Sequence, residues 1–224
     1  MAADDRPARR DLAEGLAQLE TTLRTMADRT GQCMDEILGL IRGAGPEGID
    51  RIRDLEPEVY RAKREAVQIC VDLLALHGPF ARDLRRITAT LEIATDLDRL
   101  GRYSKDIADL FAGMTEAERA SAQDVPPLAR VGELTTALVR RALSSYFTGD
   151  LATARALDRD DNEIDDLHEE VFRGLVGRIA DRSLTPNAGA SLILVNRYFE
   201  RMADHAVNIG SHVEYMLTGI RPRG

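Results

Sequence analysis

The sequence predicts an all-α protein: six long helices in two tandem antiparallel three-helix bundles, related by an internal repeat. Three observations carry this reading. Apolar residues recur at spacings of three and four over runs of about 30 residues, the mark of amphipathic helices. No stretch of alternating polar and apolar residues bounded by turn residues is present, so no strand is expected. The third is a duplication. Glu200-Arg201-Met202-Ala203-Asp204-His205-Ala206-Val207-Asn208-Ile209-Gly210 has an imperfect earlier copy in Asp98-Arg99-Leu100-Gly101-Arg102-Tyr103-Ser104-Lys105-Asp106-Ile107-Ala108. Asp98 matches Glu200, Arg99 matches Arg201, Leu100 matches Met202, Tyr103 matches His205 and Ile107 matches Ile209. The second copy keeps an acidic pair that Arg102 breaks in the first.

The first helix, from about residue 8 to Arg42, follows Leu12, Leu16, Leu19, Leu23, Met26, Met34, Ile37 and Ile41, and ends at Gly43-Ala44-Gly45-Pro46. A second, from about Ile49 to Leu76, contains Pro57, which predicts a kink or a later start there. His77-Gly78-Pro79 closes it and opens the third, which runs to about Gly113. The polar stretch 115–127, ending in Pro126-Pro127, is the expected linker. The plan then repeats with helices over Leu128–Phe147, Leu151–Asp181 and Pro186–Leu217. Residues 8–114 thus form the first repeat and 128–219 the second.

Composition narrows the function. The chain has 224 residues, 44% apolar and 30% charged, with no Trp and a net charge of -8. That balance argues against general nucleic-acid binding, which needs a cationic surface. Cys33 and Cys70 lack any metal or redox spacing and read as buried thiols of a reducing compartment. Met1 to Arg10 lacks the apolar core of a signal peptide, and no apolar run reaches the roughly 20 residues of a membrane helix. A cytoplasmic protein is expected, with membrane contact only through partners. No nucleophile elbow, phosphate-binding loop or other catalytic signature appears, so no enzymatic activity is expected.

The candidate chemistry is acidic. On the last helix, Glu200 and Asp204 lie one turn apart, opposite the stripe Val195, Phe199, Met202, Ala206, Ile209 and Val213. On the preceding helix, Asp161, Asp165 and Glu169 form a column that starts beside the stripe Leu157, Ile164, Val171 and Leu175 and moves away from it. Carboxylates one turn apart on two neighbouring helices suit a hard cation or iron. A solvated helix face has the same composition. Against that blander reading stands repulsion between acids at i and i+4, a few tenths of a kcal/mol per pair, which a cation offsets. Of the histidines, His205 reads as a packing residue, His168 as a satisfied buried side chain, His77 as part of a turn and His212 as surface.

Pro79-Phe80-Ala81-Arg82-Asp83-Leu84-Arg85, Asp96-Leu97-Asp98-Arg99-Leu100-Gly101 and Glu200 to Ile209 resemble the motifs of the PhoU family of phosphate-signalling proteins. The likeness runs from about Leu12 to Leu217. It implies a usually homodimeric adaptor that couples a phosphate ABC transporter, through its ATPase subunit, to a membrane sensor histidine kinase. Such proteins hold the phosphate-starvation response off when phosphate is plentiful and modulate uptake. It also implies acidic clusters binding iron, zinc, manganese or magnesium, one per repeat. Asp161, Asp165, Glu200 and Asp204 match the second cluster, with Glu169 a weaker candidate. In the first, Tyr60 and Arg102 replace carboxylates and leave Asp98 and Glu56, so one metal site is expected, with an Arg102–Asp98 ion pair in place of the other. Asp83 and Arg85 are candidate partner contacts, or else ties between helices. Two other readings remain: a metal-storage or metal-sensing helical protein, and an accessory subunit of another phosphate or cation transporter.

Overall fold

The structure is a computed structural model describing residues 6–221. Every regular element among the described residues is a helix: α1 (Arg6–Ile41), α2 (Glu47–His77), α3 (Ala81–Ala112), α4 (Glu116–Ala120), α5 (Pro126–Thr148), α6 (Leu151–Ala180) and α7 (Pro186–Thr218). The six long ones are those expected. None is long and apolar enough to cross a membrane.

Two three-helix bundles result, α1–α2–α3 and α5–α6–α7, with α3 packed on α7 and α1 on α5. Side chains give the direction of both inter-bundle contacts. Arg85 near the start of α3 donates to the Met216 carbonyl near the end of α7, at 3.5 Å. Arg140 of α5 pairs with Asp35 of α1, and Arg42 of α1 with Glu133 of α5. Both pairs of helices are therefore antiparallel. One apolar core runs through both bundles, with Phe111 and Phe199 among its largest fully buried side chains.

The duplication is visible as approximate twofold symmetry about the α3–α7 contact. Tyr103 and His205, equivalent positions, face each other with ring centroids 5.7 Å apart. His205 meets Asp96 at 2.8 Å, and the duplicate of that contact, Tyr198 on Tyr103, is made at 5.5 Å.

Two local expectations change. Helix α2 starts at Glu47 and runs through Pro57. The linker carries α4, five residues long, held by a Thr115–Glu118 capping box. Glu118 also accepts from Thr185 Oγ1 at 2.6 Å and from Asn187 Nδ2 at 3.2 Å, fastening α4 to the start of α7. These bonds hold the Glu118 carboxyl down at about 2.

At Gly210 a Cβ would lie 2.8 Å from the Ala154 carbonyl oxygen and 2.7 Å from Leu157 Cδ1. The bare backbone lets α6 and α7 close together, and that brings their carboxylates within range of each other.

Candidate acidic site between α6 and α7

Asp161 lies one turn before Asp165 on α6, and both sense Asp204 of α7. Asp161 Oδ1 is buried and accepts no hydrogen bond. Burial first, then the charges of Asp165, Asp204, Asp158 and Glu200, push the Asp161 carboxyl up to about 7. Asp165 is raised as well, by burial and then by Asp204. Repulsion among acids on facing helices is thus a property of this fold, not only of the sequence spacing.

Glu200 differs from its expected place. Its position opposite the α7 core stripe suggested solvent, but its side chain is only 18% exposed. Arg197, one turn back, forms an ion pair with it. Its Oε2 is nonetheless buried without a hydrogen bond of good geometry. Asp204 is exposed. Glu169 stands apart: it is exposed and pairs with Arg173 at 2.5 Å, which lowers its carboxyl below the usual range. The α6 column therefore grades from half-buried Asp161 to exposed Asp165 and Glu169, following its drift off the core stripe.

Among the described residues, no three His, Cys, Asp or Glu side chains form a group that could hold a metal ion as they stand. What the site offers is electrostatic: an orphaned buried oxygen, several unneutralised carboxylates and an oxygen-only donor set. Those features fit a hard divalent or ferric cation better than a soft one.

The first repeat has the opposite character. Asp98, 5% exposed at its side chain, accepts from Lys63 of α2 at 3.0 Å and pairs with Arg102 at 3.4 Å. The Arg102 guanidinium also lies 5.9 Å from the Tyr60 ring. Arg102 is where the sequence suggested. Lys63 was not anticipated, because nothing local says that a side chain of α2 reaches α3. Two cations thus neutralise this buried carboxylate.

A third cluster also went unread. Buried Asp96 sits between two histidines of α7, with His205 Nδ1 at 2.8 Å from Oδ1 and His212 Nε2 at 3.4 Å from Oδ2. His205 does stack on Tyr103, but it also has this carboxylate as a partner. His212 is half-buried rather than on the surface. His168 meets the Asn196 carbonyl at 3.3 Å, and Asn196 donates to the His168 carbonyl at 2.9 Å. The thiols are buried and free, with burial pushing Cys33 up to about 12 and Cys70 to about 11, as inert structural cysteines require. Asp83 is half-buried, while Arg85 reaches the α7 backbone and so links two helices.

The duplicated helices and two unequal acidic centres can be set against known proteins. A family profile, the PhoU domain, matches residues 23–111 and again 128–213. The chain belongs to the PhoU family. The phosphate-specific transport system accessory protein PhoU homolog of Caulobacter vibrioides is 32% identical over 213 residues, covering 92% of this chain and 89% of the relative. The homolog of Deinococcus radiodurans is 29% identical over 173 residues, covering 77% of this chain and 80% of that one. Two solved structures share the fold. PhoU from Pseudomonas aeruginosa superposes with a TM-score of 0.83 at 21% identity, over 93% of this chain and 99% of that one. The phosphate transport system regulatory protein PhoU from Streptococcus pneumoniae gives 0.85 at 20%, over 95% and 99%. As a PhoU protein, this chain has a role in phosphate regulation.

Proposed function

We propose that this PhoU protein is a non-enzymatic adaptor that represses the phosphate-starvation response. It docks on the ATPase subunit of a phosphate ABC transporter and on a sensor histidine kinase, acts as a homodimer, and reports transporter state because its contacts differ between states. The observation that supports this most is the match of both repeats to the PhoU domain, together with relatives bearing the transport-accessory name along most of their length. Deletion of the gene is expected to raise alkaline phosphatase activity in phosphate-rich medium, with the intact gene restoring repression. Activity as low as wild type would count against the adaptor reading.

The α6–α7 site is proposed to take one divalent or ferric cation, with iron, zinc, manganese and magnesium the candidates. Asp161 and Asp165 would hold it from α6, and Glu200 and Asp204 from α7, with Glu200 leaving Arg197. Bound there, the cation would neutralise the mutual repulsion of these carboxylates. In protein stripped with chelator, Mn²⁺ or Mg²⁺ is expected to raise Tm, and the Asp161→Asn/Glu200→Gln double variant to show no such rise. More than one equivalent bound, or an equal rise in the variant, would remove the single-site reading.

A further inference from the structure

The two ends of the duplicated fold are not finished alike. The turn between α6 and α7 is covered: Glu118 of α4 bonds to Thr185 and Asn187, Arg178 donates to the Asp124 carbonyl at 2.9 Å, and Ala122 and Val125 are buried beneath. Its duplicate, the turn between α2 and α3 at the far end, has no such cover. There Phe80 is 87% exposed, Leu76 76% and Leu84 40%. Ile220, beyond the last turn of α7, is 68% exposed at the same end, where Gly219 lies against Arg85. Single exposed apolar residues are ordinary, but a cluster on one projecting turn marks an interaction surface.

The backbone at this turn is held in a strained state. Ala81 has φ 41°, in the left-handed region that side-chain-bearing residues avoid. Arg182, the other non-glycine residue with positive φ among the described residues, lies in the covered turn, where the Ser183 N–H donates to Asp181 Oδ1 at 2.9 Å. At Ala81 the Asp83 N–H donates to the Phe80 carbonyl at 3.1 Å, so the left-handed residue sits inside a closed turn from which Phe80 projects.

Charge narrows the partner. In a chain of net charge -8, this turn carries Arg82, Arg85 and Arg86. Arg85 is engaged with the α7 backbone and Arg86 with Glu20 at 2.6 Å. Arg82 is exposed and makes no ion pair with a described residue. Arg221, next to Ile220, is exposed too but lies over the Tyr215 ring at 5.0 Å, and Asp83 stands beside Arg82. So little net positive charge on an acidic protein does not suit an anionic lipid surface, where several basic residues must act together. A projecting aromatic with one arginine beside it suits a protein pocket instead.

We infer that the α2–α3 tip, with Phe80 as anchor, Leu76 and Leu84 beside it and Arg82 at the rim, is a docking knob for a protein partner presenting an apolar pocket bordered by carboxylates. Resting on the adaptor reading, the inference places the contact with the transporter's ATPase subunit at this tip.

The test uses the full-length protein titrated against the purified ATPase subunit of the phosphate transporter from the same genome. Phe80→Asp and Arg82→Glu are expected to weaken binding roughly tenfold or more, the loss that follows removal of a buried anchor. Leu194→Asp, on the exposed face of α7 near its start, is expected to bind like wild type. All three variants should keep the wild-type Tm, because the altered side chains are exposed. If wild type binds and the tip variants bind equally well, the knob is overturned while the adaptor reading stands. If wild type itself does not bind the subunit, both fall. Binding of wild type, but not of Phe80→Asp, to phosphatidylglycerol-containing vesicles would overturn the protein pocket in favour of a lipid surface.

Discussion

Phe199→Ala is expected to destabilise the protein by about 3–5 kcal/mol, the usual cost of emptying a buried aromatic site that cannot collapse. Phe199 is fully buried on α7. Its ring reaches Gly132 of α5, where an added Cβ would lie 2.8 Å from Phe199 Cζ and 2.8 Å from Leu38 Cδ2 of α1. Side chains of α1 and α7 thus meet at the bare backbone of α5, where the two bundles join. The glycine opposite it is what makes room. For a chain of this size the loss corresponds to a fall in Tm of roughly 10 °C. Phe199→Leu keeps much of the volume and should cost far less, about 1 kcal/mol. Melting both variants by circular dichroism checks this. A Tm within a degree or two of wild type for the alanine variant would mean that the ring does not join the bundles as described.

That ring was placed on the core stripe by periodicity alone, and the six long helices were legible for the same reason. Each shows an apolar face at helical spacing, and Gly78 and Gly149, both with positive φ, end helices where the chain must turn. Helix α4 lies outside the six expected although it carries a signal: Thr115 followed three residues later by Glu118 is a capping box, set in a polar stretch ending in two prolines. What could not be read was anything set by pairing between helices. The burial of Glu200 depends on α6 covering the flank of α7. Lys63 on Asp98, and Asp96 between His205 and His212, depend on which helices become neighbours and in what register. A helical wheel describes one helix against an imagined core. It is silent on side chains that meet between two wheels, and such side chains make up both acidic centres.

Those two centres lead to opposite expectations for the same change of charge. Asp98→Asn leaves Lys63 and Arg102 without the buried carboxylate that holds them at 3.0 and 3.4 Å, and is expected to cost roughly 2 kcal/mol. Asp161→Asn removes a carboxylate that has no cation, and in chelator at pH 7.5 it is expected to raise Tm. The sign follows from proton linkage. The Asp161 carboxyl sits at about 7 in the folded protein against an ordinary 3.8, so the native state holds this proton to higher pH than the unfolded chain. Its contribution to stability is full below the ordinary value, declines as pH rises from there, and is gone above about 7. Wild-type protein without metal should therefore lose stability across that window, and Asp161→Asn should show a flatter profile. Adding Mn²⁺ should restore stability to wild type at pH 7.5, since the ion supplies the positive charge that Lys63 and Arg102 supply to Asp98. Melts of both variants from pH 4 to 8, with chelator and with Mn²⁺, separate the outcomes. If Asp161→Asn is destabilised at pH 7.5 in chelator, the second acidic centre is not a site of unrelieved repulsion. If Asp98→Asn melts like wild type, the two cations of the first do not neutralise its buried carboxylate.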